Sequence, residues 1–255
     1  MTEKLSRPCA ALAALALAPV LLRAQVPAAG ALPTPQSIVA RYVEALGGRE
    51  ALERFPGRWE RGRIEFPAQG MVVTLELWAA GGRQVSRSEL AGLGVMRAGF
   101  DGEVAWGISP ATGPSIQEGP GLQQARQLAD LLAALHPERY VASMQTVEET
   151  DCGGARCHRL RVTTPWGETY DELFDAASGL LVGGVRRISS PQGPVEATTQ
   201  IVEYRSVGGV RLPRVTRVRT LGVEMTTTID TTEVGAIPDS VFALPPEIRA
   251  LRGGR

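Results

Sequence analysis

The chain has 255 residues with 27 basic and 27 acidic side chains, and its formal charge is zero. That balance excludes the basic stripe that a nucleic-acid binder needs, and no run of one sign marks a charged tail. The length permits one or two domains, and because nothing in the middle reads as a disordered linker, one domain is expected.

The first two dozen residues are different in kind. Lys4 and Arg7 form a basic start, Ala10 to Leu22 is rich in Ala and Leu, and Leu22-Arg-Ala24 has small-residue cleavage character. This is the pattern of a signal peptide over residues 1–24, and the apolar run is shorter than the roughly 20 residues needed to span a bilayer. A retained N-terminal anchor is the other reading. Export takes the chain out of the cytosol into an oxidising compartment. Residues 25–34 are rich in Pro and Ala and read as a flexible tether, followed by a domain over 35–246 and a flexible tail over 247–255.

Within the domain, Ser37 is placed to cap a helix in which Ile38, Val39, Tyr42, Val43 and Leu46 recur at three and four residues, ending at Gly47-Gly48. A second short helical turn is expected through Glu50 to Phe55. From Trp59 the period changes to two, which is that of strands with one dry face. Strands are expected at Arg61 to Phe66, Met71 to Ala79, Arg83 to Leu90, Val95 to Phe100 and Glu103 to Ile108, with Asp101-Gly102 the clearest hairpin signal. A loop over Ser109 to Pro114 leads to a second helix, Leu122 to Leu135, whose stripe is Leu128, Leu131, Leu132 and Leu135 before Pro137. A helix with one dry face needs a partner layer, so this one should lie on the sheet.

Thr146 to Ile188 reads as an antiparallel meander, with turns at Cys152 to Cys157, Pro165-Trp-Gly167 and Asp175 to Gly179. Further strands follow from Thr198 to Val234. The expected class is α+β, mainly antiparallel β, with about ten or eleven strands in a curved sheet or partial barrel packed against two main helices. Cys152 and Cys157 would flank a four-residue turn as a facing pair, close enough for a disulfide in an oxidising compartment; two free thiols are the alternative. Cys157-His158 has no second ligand pair at zinc spacing, so no metal is expected, and no cofactor motif occurs.

Five segments carry a family resemblance: the helix ending in Leu46-Gly-Gly, Phe100-Asp-Gly-Glu-Val-Ala-Trp106, Phe174-Asp-Ala-Ala-Ser-Gly-Leu-Leu-Val182, Glu203 to Pro213, and Ile237 to Pro245. Together they resemble the LolA/LolB-like superfamily, and more narrowly the exported proteins called outer membrane lipoprotein-sorting proteins, over roughly Pro35 to Pro246. The resemblance implies a curved antiparallel half-barrel with helices over its open side and an apolar cavity that holds acyl chains in carrier members. It implies no catalytic residue, and no equivalent of the carrier's functional residues is identifiable.

The residues themselves point weakly the same way, since an incompletely filled barrel commonly holds a ligand. The candidate lining is Val73, Leu75, Leu77, Met96 and Trp106, with Leu128, Leu131 and Leu132 on a helical lid. The same stripes are also what plain core looks like. Enzyme readings rank lower. His136 and His158 sit in no metal motif, no Gly-x-Ser-x-Gly elbow occurs, and Gly92-Leu-Gly94 leads into a strand without dinucleotide spacing. Glu148-Glu149 and Asp171-Glu172 are adjacent along strands, so their side chains point to opposite faces. The expectation is a non-enzymatic, monomeric lipid- or lipoprotein-binding protein whose partners are acyl chains. The alternative is a periplasmic protein-interaction or sensor domain with a filled core, whose partner is a periplasmic or outer-membrane protein.

Overall fold

Among the described residues, thirteen strands form one antiparallel sheet whose order follows two hairpin meanders joined by one non-local seam. The structure, a computed structural model, describes residues 31–190 and 193–253, with no side-chain detail for 188–194. The expected signal peptide and most of the tether lie outside the described residues. The first meander runs through β1 (Arg58–Phe66), β2 (Met71–Ala80), β3 (Arg83–Leu90), β4 (Gly94–Phe100), β5 (Ala105–Ser109) and β6 (Gly113–Gln117). The second runs through β7 (Ser143–Asp151), β8 (Arg156–Thr163), β9 (Thr169–Asp175), β10 (Leu181–Ser190), β11 (Gly193–Val207), β12 (Val210–Thr220) and β13 (Val223–Val234). β1 pairs with β13, leaving β6 and β7 as the two free edges of a curved, unclosed sheet.

The seam needs a close approach of backbones. Its register shifts between Arg61 and Gly62, and Gly62 faces Ile229; a Cβ on Gly62 would run into the Thr228 carbonyl, so only glycine fits the shift. The strand count exceeds the expected ten or eleven partly because Gly113-Pro114, which signals a loop, instead opens β6. Proline is tolerated there because β6 is an edge strand and needs no donor on its open side.

The helices are α1 (Pro35–Leu46), α2 (Arg49–Glu53), α3 (Gly119–Ala129) and α4 (Pro246–Gly253). Thr34 rather than Ser37 caps α1, its hydroxyl accepting from the Ser37 amide at 3.2 Å, with Pro35 in the first turn where its missing N–H costs nothing. Ile38 of α1 packs on Leu160, Val162, Tyr170 and Phe174, while Val43 and Leu46 join Leu52 and Leu212. These contacts place α1 and α2 on the inner face of the sheet. The outer face is laced with ion pairs, such as Arg63 with Asp230 at 2.6 Å and Arg161 with Asp171 at 2.8 Å. Such pairs stabilise little individually.

Two expected elements end elsewhere. The second helix stops at Ala129 instead of Leu135. Asp130 takes extended backbone, and its carboxylate accepts from the Leu132 amide at 2.9 Å and from the Tyr140 hydroxyl at 2.8 Å. A short acceptor that binds nearby backbone competes with helix continuation. Residues 246–253 are not a loose tail: α4 carries Ile248, 0% exposed, against Val104 and Trp106.

The cysteines are disulfide-bonded, with Cα atoms 6.0 Å apart, but they do not face each other. Cys157 pairs with Thr150, and Cys152 lies beyond the ladder in the turn, donating to the Ala155 carbonyl at 2.8 Å. Because the closed loop is so short, reduction is expected to lower stability by only about 2 kcal/mol. Urea midpoints with and without reductant check this; an unchanged midpoint would mean the bridge is absent in solution.

Candidate functional site

The inner face of β2, β3 and β4 is where apolar side chains meet open space. In register, Leu75 faces Ser88 and Ser88 faces Met96, while Leu77 faces Ser86 and Ser86 faces Ala98. Directly opposed residues point the same way, so Val73, Leu75, Leu77 and Met96 share one face. Val73 is buried, Leu75 and Leu77 are half-buried, and Met96 is 42% exposed. Leu128 of α3, 67% exposed, stands at a small recess lined by Ser86 and Ala98 of the same face. Ser86 and Ser88 stand between the apolar residues of β2 and β4 on this face.

Three predicted lining residues go elsewhere. Trp106 faces Gly99, one residue out of phase with Ala98, so it lies on the outer face under α4. Sequence periodicity shows that a strand alternates but does not give its phase against the neighbouring strand. Leu131 and Leu132, released from the helix, pack against the α1–α2 core and line a cleft of about 450 Å³ at the rim of the sheet. Phe55, Ala79 and Phe100 add to its apolar wall, and Glu53, Arg58, Arg126, Asp130 and Arg139 are its charges. Arg58 lies 3.2 Å from buried Glu60. Burial and the Asp130 carboxylate push the Tyr140 hydroxyl up to about 12, which keeps it a donor.

A polar cluster that sequence reading did not single out sits deeper on the inner face, beside α1. Tyr204 donates to the Leu181 carbonyl at 2.8 Å and interacts with the Tyr42 hydroxyl. Gln127 of α3 donates to the Tyr170 hydroxyl at 3.2 Å, and the Arg186 guanidinium lies 4.1 Å from the centre of the Tyr170 ring. Glu172, on the same face as Tyr170 and Phe174, has its carboxyl deep among these groups. Burial raises it from 4.5 to about 7, partly offset by Arg186. Its neighbour Asp171 points outward to Arg161, as strand alternation requires. The Asp171-Glu172 pair was visible in the sequence; which member turns inward was not. Among the described residues, no group of three His, Cys, Asp or Glu side chains could hold a metal.

No protein-family model and no curated protein matches the chain. Solved structures do. A LolA superfamily protein from Nitrosomonas europaea is 15% identical, with 84% of this chain and 99% of that one covered and a TM-score of 0.56. The fold is LolA-like. A domain named for outer membrane lipoprotein sorting, from Vibrio parahaemolyticus, is 9% identical over 80% of this chain and 97% of that one, with a TM-score of 0.52. A DUF1329 family protein from Desulfovibrio piger is 11% identical over 82% and 96%, with a TM-score of 0.54. In this LolA-like sheet, the stretch between β6 and β7 must carry the chain from one free edge to the other, because those two strands are the ends of the strand order. It does so on the inner face, where α3 meets Phe100 and Leu132 meets the α1–α2 core.

Proposed function

We propose that this is an exported, non-enzymatic lipid- or lipoprotein-binding protein that shelters acyl chains on the inner face of its sheet. The observation that carries the reading is the row Leu75, Leu77 and Met96, apolar and partly solvent-exposed on the face that α1, α2 and α3 otherwise cover. An acyl chain laid on that row leaves water, which contributes about 0.8 kcal/mol for each methylene fully buried. The segment from α3 through Leu132 acts as the cover. The likeness to a domain named for lipoprotein sorting supports the same reading.

The test is lipid extraction and native mass spectrometry of protein purified from membrane-containing cells. Copurifying acyl lipid is expected. Met96→Asp should reduce the lipid-bound fraction at least about tenfold while leaving the melting temperature close to wild type, because a position 42% exposed tolerates charge far better than a core one. A lipid-free protein that captures a protein partner through the same face would instead favour an interaction or sensor domain.

A further inference from the structure

The rim cleft continues the inner face but ends in different chemistry. Ala79 lies two residues beyond Leu77 on β2, and Phe100 lies four beyond Met96 on β4, all on one face. The apolar floor therefore runs into the cleft over roughly 13 Å of strand. There it meets Arg58, Arg126 and Arg139. The carboxylates lining the cleft already have partners. Asp130 accepts from Tyr140 and the Leu132 amide and lies 3.5 Å from Arg139, and Glu53 pairs with Arg49 at 3.0 Å. Arg58 is held by Glu60. Arg126 stands 5.9 Å from the centre of the Phe100 ring, and among the described residues it has no ion-pair partner.

An apolar floor that ends at an uncompensated guanidinium is complementary to an amphiphile with an anionic head. We propose that the cleft seats the oxyanion head, carboxylate or phosphate, of a ligand whose tail lies along the inner face, with Arg126 as the head-group contact. The proposal rests on the acyl-binding reading and adds the ligand's charge to it. A guanidinium fork matches two oxygens at once, which a neutral head cannot exploit. Added salt should weaken the preference because Arg126 is exposed.

The experiment is calorimetric titration of the purified full chain with dodecanoate, dodecanol and inorganic phosphate at low salt. Dodecanoate is expected to bind about tenfold tighter than dodecanol, and phosphate at least about tenfold more weakly than dodecanoate. Arg126→Gln, with its fold checked by thermal melting, should bring dodecanoate to the level of dodecanol. Equal binding of the two alkyl ligands by wild type would overturn the head-group contact and leave the acyl reading standing. Phosphate binding as tightly as dodecanoate would overturn the link between head and tail. Arg126→Gln weakening both alkyl ligands alike would make Arg126 a structural residue and also overturn it. If neither alkyl ligand binds, both readings fall.

Discussion

Phe174→Ala is expected to cost about 3–5 kcal/mol of unfolding free energy, a large part of what a domain of this size has to lose. Phe174 is 2% exposed and lies between the sheet and α1. Its ring meets Tyr42 edge-on at 5.4 Å between centroids, and Ile38, Leu160, Val162 and Tyr170 close around it. Truncation removes the transfer free energy of the ring and leaves a cavity that strands on three ladders cannot collapse to fill. Because the contact docks α1, hydrogen exchange in Ile38 to Leu46 should accelerate more than exchange in β2 and β3. Leu128→Ala, at an exposed position, should stay within about 0.5 kcal/mol of wild type in the same denaturant series. A loss under about 1 kcal/mol for Phe174→Ala would mean that α1 is not seated as described.

Glu172 should make the protein less stable as pH rises through neutrality. Its carboxyl titrates at about 7 in the folded chain against an ordinary value of 4.5, so between those values the folded state binds more protons than the unfolded one. The stability contributed by the neutral form is fully present below 4.5 and lost as pH rises through about 7. The full shift corresponds to about 3 kcal/mol, and partial solvent access to the residue reduces the expected effect to about 2 kcal/mol. Glu172→Gln keeps the size and removes the titration. The variant is therefore expected to match wild type near pH 4.5 and to exceed it by about 2 kcal/mol at pH 8. A difference that does not change with pH, or that grows towards acid, would contradict a carboxyl buried on the inner face. The tyrosines move in the same sense: burial and the nearby Glu172 charge push Tyr42 up to about 12, so its hydroxyl stays protonated throughout this range.

Much of the sheet was legible because its pairings are local. Asp101-Gly102, Gly81-Gly82, Gly208-Gly209 and Asp175 to Gly179 each reverse the chain between strands that pair directly, and a short turn leaves antiparallel pairing as the only solution. The β1–β13 seam was not legible, since no local signal links Gly62 to Ile229. Nor was the phase of β5, which put Trp106 on the wrong side of the expected cavity. Leu128, Leu131, Leu132 and Leu135 read as one stripe because helical spacing alone was considered. Asp130, in the middle of the stripe, held the contrary signal as a short side chain able to accept from its own downstream amide. In α4, the Pro245-Pro246 start and the spacing of Ile248 and Leu251 were available but were outweighed by the Arg/Gly composition of the end. Val73, Leu75 and Leu77 alternate on one face in the sequence, and the register of β2 to β4 adds Met96 to that face. Its openness is a tertiary property that alternation does not encode.

The central claim is a location, the inner face of β2 to β4, and photolabelling tests it directly. A long-chain fatty acid carrying a diazirine in its tail, irradiated with the protein and mapped by peptide mass spectrometry, is expected to mark Leu75, Leu77 and Met96, with weaker marks at Leu128. Labels gathered on outer-face residues such as Trp78, Arg87 or Val202, with the inner row unmarked, would contradict it.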